Sequence, residues 1–422
     1  MGQKVVSASQ QQSVSDPREG VADSRFIWSK TELVKTVIGL GLVLGLIALA
    51  TNLGNNPDFG NTAALSLLIG TALGIVFERG RFCFFCIFRD SIENGVNTGI
   101  ISVLVALATG AIGYSLVFAL FLPVPNGEYL PPAAHIGPIS WALVAGAAAF
   151  GLGMVLSGAC IAGHMYRLGQ GSLRAIPSLF GVVLGFGIAL VGWNDIYLGQ
   201  IQEAPVVWLP DLVGYNWSLI LTLGAIGLLA VLAIRFTKKH DRNFEALENP
   251  FTIKSVAYSL FRKRWSPGVS GAIVGLIGTF AYLRIEPLGV TRQIGSTTRT
   301  LLDSQSVLPE VLHGLDTLAG CIGVVTETIT NNGWIVLGIV VSSFAAALAG
   351  GRFKIEPLTL KGGLSGLLGG VLLGWGAMIS LGCTIGVLLS GIQAFSLAGW
   401  VFGAVMFGVV VAGIKLKLHK FV

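Results

Sequence analysis

Long apolar runs separated by short polar segments dominate this chain. Runs near 33–53, 63–78, 97–122, 139–160, 173–194, 217–236, 266–284, 333–350, 362–383 and 393–415 each read as a helical span. Crossing a hydrocarbon core takes about 20 apolar residues, so the pattern predicts an all-α polytopic membrane protein of about ten spans. Some of the runs do not end cleanly. ERGRFCFFCIFRD, from Glu78 to Asp90, follows the second run with five charged residues and a Cys-x-x-Cys. Irregular backbone at membrane depth is tolerated only where protein buries it or where it lines a polar path. Charged residues placed there are functional suspects.

The pattern repeats internally. GLGMVLSGACIAG (Gly151–Gly163) matches GWGAMISLGCTIG (Gly374–Gly386), with Gly151, Gly153, Ser157, Cys160 and Gly163 falling on Gly374, Gly376, Ser380, Cys383 and Gly386 at one offset. Each copy is followed by a Ser-Leu pair and another apolar run. Earlier in each half, GTALGIVFERGRFCFFC corresponds loosely to GTFAYLRIEPLGVTRQIG. Repeats of this kind, one inverted against the other, place broken helices near the bilayer midplane.

Charge supplies the topology. The segments RFTKKHDRNF, FRKRWSP and KLKLHK sit beside apolar runs, the positive-inside arrangement. Both termini are therefore expected in the cytoplasm. The expected organisation is a disordered cytoplasmic tail at 1–30, a first membrane half at 31–236 containing the repeat 63–194, a basic cytoplasmic loop at 237–265, a second membrane half at 266–415 holding the inverted repeat, and a basic tail at 416–422. Span 217–236 is the odd helix that inverts the second copy. On this topology the Glu78 and Cys160 breaks enter from the cytoplasmic side, and the Arg284–Gly295 and Cys383 breaks from the opposite side. No apolar h-region near the N-terminus suggests a cleavable signal.

Composition agrees. The chain has 422 residues, 53% of them hydrophobic and 11% charged, against about 25% charged in an ordinary soluble domain. The net charge of +6 does not read as a nucleic-acid surface, because it is confined to short flanks of apolar runs. The 58 glycines suit close helix packing and broken helices.

The five cysteines are Cys83, Cys86, Cys160, Cys321 and Cys383, and three of them, Cys83, Cys160 and Cys383, sit at breaks. A short re-entrant helix would place Cys83 and Cys86 on one face. Small-core packing is the plain alternative for any of them. Zinc needs further ligands that no second Cys-x-x-Cys or His-x-x-x-His supplies, and a redox pair lacks its soluble domain. A neutral thiol is a soft, weak donor that can contact an anion. Helix N-termini at the breaks add positive potential. The residues thus point to permeation of an anion or sulfur compound. Arg167 and Arg174, in HMYRLGQGSLR, read either as positive-inside anchors or as an anion-attracting collar. GGRFKIEP (Gly350–Pro357) reads as a cytoplasmic turn with topological charges. Cys321 follows a polar segment with Asp303, Glu310 and Asp316 and has no partner in the repeat. No GxxxxGK[ST] loop is present, so no ATPase is built in.

At GIVFERGRFCFFCIFRD, GPISWALVAGAAAFGLGMVLSGACIAGHMYRLGQGS, EPLGVTRQIG and GWGAMISLGCTIGVLLSGI the chain resembles the YeeE/YedE family of sulfur-compound transporters, YedE-type members especially. The resemblance implies an inverted-repeat helical fold that imports thiosulfate through S–H contacts, with no cofactor. By motif, its functional cysteines fall on Cys83, Cys160 and Cys383. Glu78, Arg89, Asp90, Tyr166 and Arg167 also match, while Cys86 departs from the pattern. The resemblance further implies a TusA-type sulfur-carrier protein as partner. A selenium compound as substrate, a membrane sulfurtransferase using a persulfide with Arg81 near Cys83, and a redox sensor or membrane scaffold stand as rivals.

Overall fold

The computed structural model describes residues 30–57, 59–125, 129–237, 263–315, 318 and 323–420. Its helices run α1 Lys30–Asn55, α2 Gly60–Gly80, α3 Phe84–Asn94, α4 Thr98–Phe121, α5 Trp141–Ser157, α6 Ile161–Gln170, α7 Ala175–Val191, α8 Leu209–Arg235, α9 Pro267–Arg284, α10 Arg292–Ser304, α11 Asn331–Ala349, α12 Leu360–Ile379 and α13 Leu397–Lys415. A π-helical turn, Thr384–Ser390, lies between α12 and α13 and continues into Gly391–Gln393. Only isolated β-bridges occur among the described residues. The protein is an all-α polytopic membrane protein.

Each expected apolar run is a helix. Among the described residues, eight helices are long and apolar enough to cross a membrane, or nine with Ala175–Val191 and its bent continuation Trp193–Ile201. The run at 266–284 forms α9, 18 residues long and outside that group. The outermost elements are α1 and α8, whose most apolar stretches are only 22% and 17% buried. Their exposed Leu, Ile and Val side chains suit a hydrocarbon environment rather than water.

The two halves pack as copies. Helix α2 lies along α11 as α9 lies along α4, and α12 lies along α7 as α5 lies along α13. These pairings interchange when the halves are exchanged. The direction of the central pair decides how the copies are related. Gly146 of α5 faces Gly376 of α12, and Gly153 faces Gly369, so the two helices run antiparallel. Since α5 and α12 carry the matching Gly-x-Gly and Cys-Gly motifs, one repeat is inverted against the other. By contrast Gly70 faces Ile335 and Gly74 faces Ile339, so α2 and α11 run parallel.

Glycine is what allows these contacts. A Cβ at Gly70 would stand 2.1 Å from the Ile335 carbonyl oxygen, and one at Gly185 2.1 Å from that of Val371. Without a hydrophobic force between helices in lipid, close backbone approach supplies dispersion contact instead. The bundle thereby packs tightly enough to hold non-helical segments inside it.

Candidate functional site

Each of three breaks is built the same way. The residue two before the cysteine has a left-handed backbone: Arg81 at φ 51°, Gly158 at φ 85° and Leu381 at φ 60°. That reverses the chain and ends the preceding helix. The cysteine itself is extended and stands at the N-cap of the next helical segment: Cys83 before α3, Cys160 before α6 and Cys383 before the π-helical turn. Glycine is suited to the left-handed region, whereas Arg81 and Leu381 cost about 1–2 kcal/mol each there. Strain of this kind persists only where the surrounding structure fixes it.

The fourth break puts a different residue at the cap and lacks the left-handed turn: Gly289, two before it, has no positive φ, and the cap itself lies near the helical region at φ −109°, ψ −17°. Thr291 is the N-cap of α10, the helix that corresponds to α3. Along the chain, Gly70-Thr71, Glu78 and Cys83 fall on Gly278-Thr279, Glu286 and Thr291 at one offset without a gap. Thr291 is therefore the counterpart of Cys83, as Cys383 is of Cys160.

These four caps meet. The thiol of Cys83 contacts those of Cys160 and Cys86. Cys160 accepts the Gly163 amide at 3.3 Å, contacts the Thr384 hydroxyl and lies within electrostatic reach of Cys383. Cys383 contacts Thr291 in turn. Gly163 leaves room for this, since a Cβ there would stand 2.8 Å from Cys83 Sγ. All three break cysteines are at most 1% exposed. The buried hydroxyls of Thr291 and Thr384 have no nitrogen or oxygen partner among the described residues. Buried polar groups are normally paired, and the groups these two hydroxyls face are the thiols at the helix N-termini.

The remaining candidates are distributed as follows. Tyr166 is buried within electrostatic reach of Cys83, Cys86 and Cys160, with its ring tilted against Phe77. Arg167 donates through Nη2 to Cys86 Sγ at 2.8 Å and through Nη1 to the Gly158 carbonyl at 3.1 Å. The cation facing Cys83 is Arg167, whereas Arg81 is exposed at the end of α2. Arg89 and Asp90 pair with one another at 3.3 Å on α3. Glu78 is fully buried and takes Arg352 on both oxygens, at 2.7 and 3.0 Å, with Arg79 Nε 3.6 Å away. Arg352 comes from the 350–357 turn, so that turn is fastened to the end of α2. Cys321 lies outside the described residues.

Sequence reasoning passed over Thr291, Thr384, His164 and Arg352. The ungapped offset from Cys83 to Thr291 was a signal for the first. The others carry none, because their role depends on what the fold sets against them.

On the face that carries the Cys83 and Cys160 breaks, a cavity of about 160 Å³ opens. Phe85, Arg89, His164, Arg167, Ser172, Arg174, Glu356 and His419 contribute to its wall. The two breaks, the 350–357 turn and the basic C-terminal tail thus share one face.

A family model described as sulphur transport matches residues 79–412. The chain belongs to the sulphur transport family. The match reaches into both repeats and covers all four caps, and it is the family that the motifs resembled. Within the family the chain is similar to the thiosulfate transporter TsuA of Escherichia coli strain K12, 29% identical over 340 residues, covering 79% of this chain and 89% of the relative. TsuA of Spirochaeta thermophila is 27% identical over 360 residues, covering 79% and 92%. The probable transporter YedE of Escherichia coli strain K12 is 28% identical over 222 residues, covering 52% and 51%.

Proposed function

We propose that this sulphur transport family protein imports thiosulfate or a related sulfur-bearing anion, passing it along Cys83, Cys160 and Cys383. The observation that carries the reading is the meeting of these thiols at helix N-termini contributed by both repeats. Helix N-termini favour negative charge, and thiols offer weak S–H donors to a soft sulfur atom. Thr291 and Thr384 add hydroxyls to the same line. The names of the TsuA relatives support thiosulfate as substrate. The protein acts as a transporter rather than an enzyme, in the plasma membrane with both termini cytoplasmic, and a TusA-type sulfur-carrier protein is its partner on that side.

The test is uptake of sulfane-labelled thiosulfate by cells lacking other thiosulfate routes. The intact protein is compared with Cys83→Ser, Cys160→Ser and Cys383→Ser at matched membrane levels. Uptake by the intact protein and its loss in each variant supports the reading. No uptake above empty cells overturns it and brings a selenium compound forward.

One observation favours a second reading. The Arg167 guanidinium lies 2.8 Å from Cys86 Sγ, a cation placed where a thiolate formed there would pair with it. In a membrane sulfurtransferase that thiolate would attack the sulfane sulfur, forming a persulfide as the S–S bond of thiosulfate breaks and sulfite leaves. Mass spectrometry of the protein after thiosulfate exposure decides it: a persulfide on a cysteine supports transfer, and transport without an adduct opposes it.

A further inference from the structure

We propose that the cavity beside the Cys83 and Cys160 breaks is a second anion site, an oxyanion vestibule distinct from the cysteine line. The proposal builds on the transport reading by assigning the vestibule to the anion's exit. Its volume of about 160 Å³ compares with the ~10–15 Å³ that a single water occupies by the same measure. A tetrahedral oxyanion fits with water to spare.

The wall is strongly cationic. Arg89, Arg167 and Arg174 bring three guanidiniums, against one carboxylate, Glu356, which is exposed at the rim. His419 in the same wall is committed to Glu93 at 2.8 Å. Two wall residues have polar atoms with nothing to bind. His164 is 3% exposed, and its Nε2 has no partner among the described residues. Arg174 donates through Nη2 to the Leu156 carbonyl and to Ser365, but its buried Nε is unpaired. An unpaired polar atom in such a setting costs about 1–3 kcal/mol; both atoms are closed to water as the walls stand, so an oxyanion reaches them only as the two side chains turn toward the cavity, while the guanidinium Nη groups line it directly.

Arg167 divides this cavity from the thiols. It lines the vestibule while its Nη2 holds Cys86, which contacts Cys83. Guanidinium forks match oxygen acceptors in plane and spacing, whereas thiols match soft sulfur. An anion of the form S–SO₃ is therefore read in two parts. Its sulfane sulfur travels on the cysteines, and its sulfonate oxygens are taken up by the vestibule as it leaves. A tetrahedral oxyanion with no sulfane sulfur should occupy the vestibule alone.

Sulfate is that probe. The full chain is placed in phosphatidylcholine nanodiscs, and equilibrium binding of radiolabelled sulfate is measured. Saturable binding is expected, weakened about tenfold by Arg89→Gln, which removes one charge-assisted donor, and several-fold by His164→Phe, which keeps the ring and removes its nitrogens. Arg89 is half-exposed and pairs with Asp90, so its replacement leaves the fold intact. Absence of saturable binding, or binding untouched by both variants, overturns the proposal. So does displacement of sulfate when phosphatidylglycerol is added to the discs, which would assign the guanidiniums to a lipid headgroup. Thiosulfate uptake without sulfate binding removes the vestibule and leaves the transport reading standing. Sulfate binding without uptake does the reverse.

Discussion

Thr291 occupies in the second repeat the place that Cys83 occupies in the first: each caps a short helix at a break, and each contacts the repeated cysteine, Cys383 or Cys160. A hydroxyl and a thiol differ in softness but offer the same donor geometry. Thr291→Cys should therefore keep thiosulfate uptake near the level of the intact protein. Thr291→Val conserves shape and removes the donor, worth about 0.5–1.5 kcal/mol, and should lower uptake by several-fold to tenfold. Uptake unchanged by valine would take Thr291 out of the path.

Glu78 was expected among the path residues because it is charged at the end of an apolar run. The structure gives it a different partner set, with both carboxylate oxygens on Arg352 and Arg79 behind them. Its side chain is 0% exposed. Removing one member of such a pair leaves a buried charge and costs about 3–5 kcal/mol, whereas apolar replacement of both partners is often tolerated. Glu78→Gln should reduce the protein recovered from membranes several-fold. The triple variant Glu78→Leu, Arg79→Leu and Arg352→Met, which removes every charge of the buried cluster, should restore recovery. Thiosulfate uptake that returns with the triple variant marks Glu78 as a clasp between α2 and the 350–357 turn; recovery without uptake would return it to the path.

The spans and the inversion were legible because both rest on periodicities that local sequence carries. Apolar runs set the helices, and Gly-x-Gly with Cys-Gly recurs at one offset from Gly151 to Gly374. The placement of Cys83 and Cys160 at breaks was legible too; that each stands at a helix N-cap was not. What could not be read was pairing across the bundle. The charges of GGRFKIEP read as topological, yet Arg352 meets Glu78, far from it in sequence. Arg81 stood next to Cys83 in the chain, but the left-handed turn leaves it exposed, and Arg167 from α6 takes the position near the thiols. Threonine was passed over because it draws attention only when its hydroxyl is found buried without a partner.

Arg81 offers a clean test of the break itself. It is exposed, with φ 51° and ψ 41°, so its conformation costs about 1–2 kcal/mol that glycine would not incur. The gain from Arg81→Gly is partly offset by glycine's greater freedom in the unfolded chain. Thermal stability of the detergent-solubilised variant should therefore be equal to or slightly above that of the intact protein. Thiosulfate uptake should persist, since Arg167 rather than Arg81 faces Cys83. A tenfold loss of uptake at unchanged stability would give Arg81 a direct part in attracting the anion.

The antiparallel contact of α5 with α12 lies at the junction of the two repeats, and glycine sets its spacing. A Cβ at Gly369 would stand 2.5 Å from the Ser157 amide nitrogen and 2.8 Å from the Gly153 carbonyl oxygen. Both are backbone atoms that cannot swing aside, and Ser157 leads directly into the Gly158 turn and Cys160. Gly369→Val should cost at least the 1–3 kcal/mol typical of overpacking and shift the Cys160 break relative to Cys383. The matching control is Gly224→Val in α8, where nothing lies within 4 Å of the added Cβ. Membrane recovery and thiosulfate uptake should fall together for Gly369→Val and stay level for Gly224→Val. Equal behaviour of the two variants would show that the repeats do not depend on this contact to hold their cysteines together.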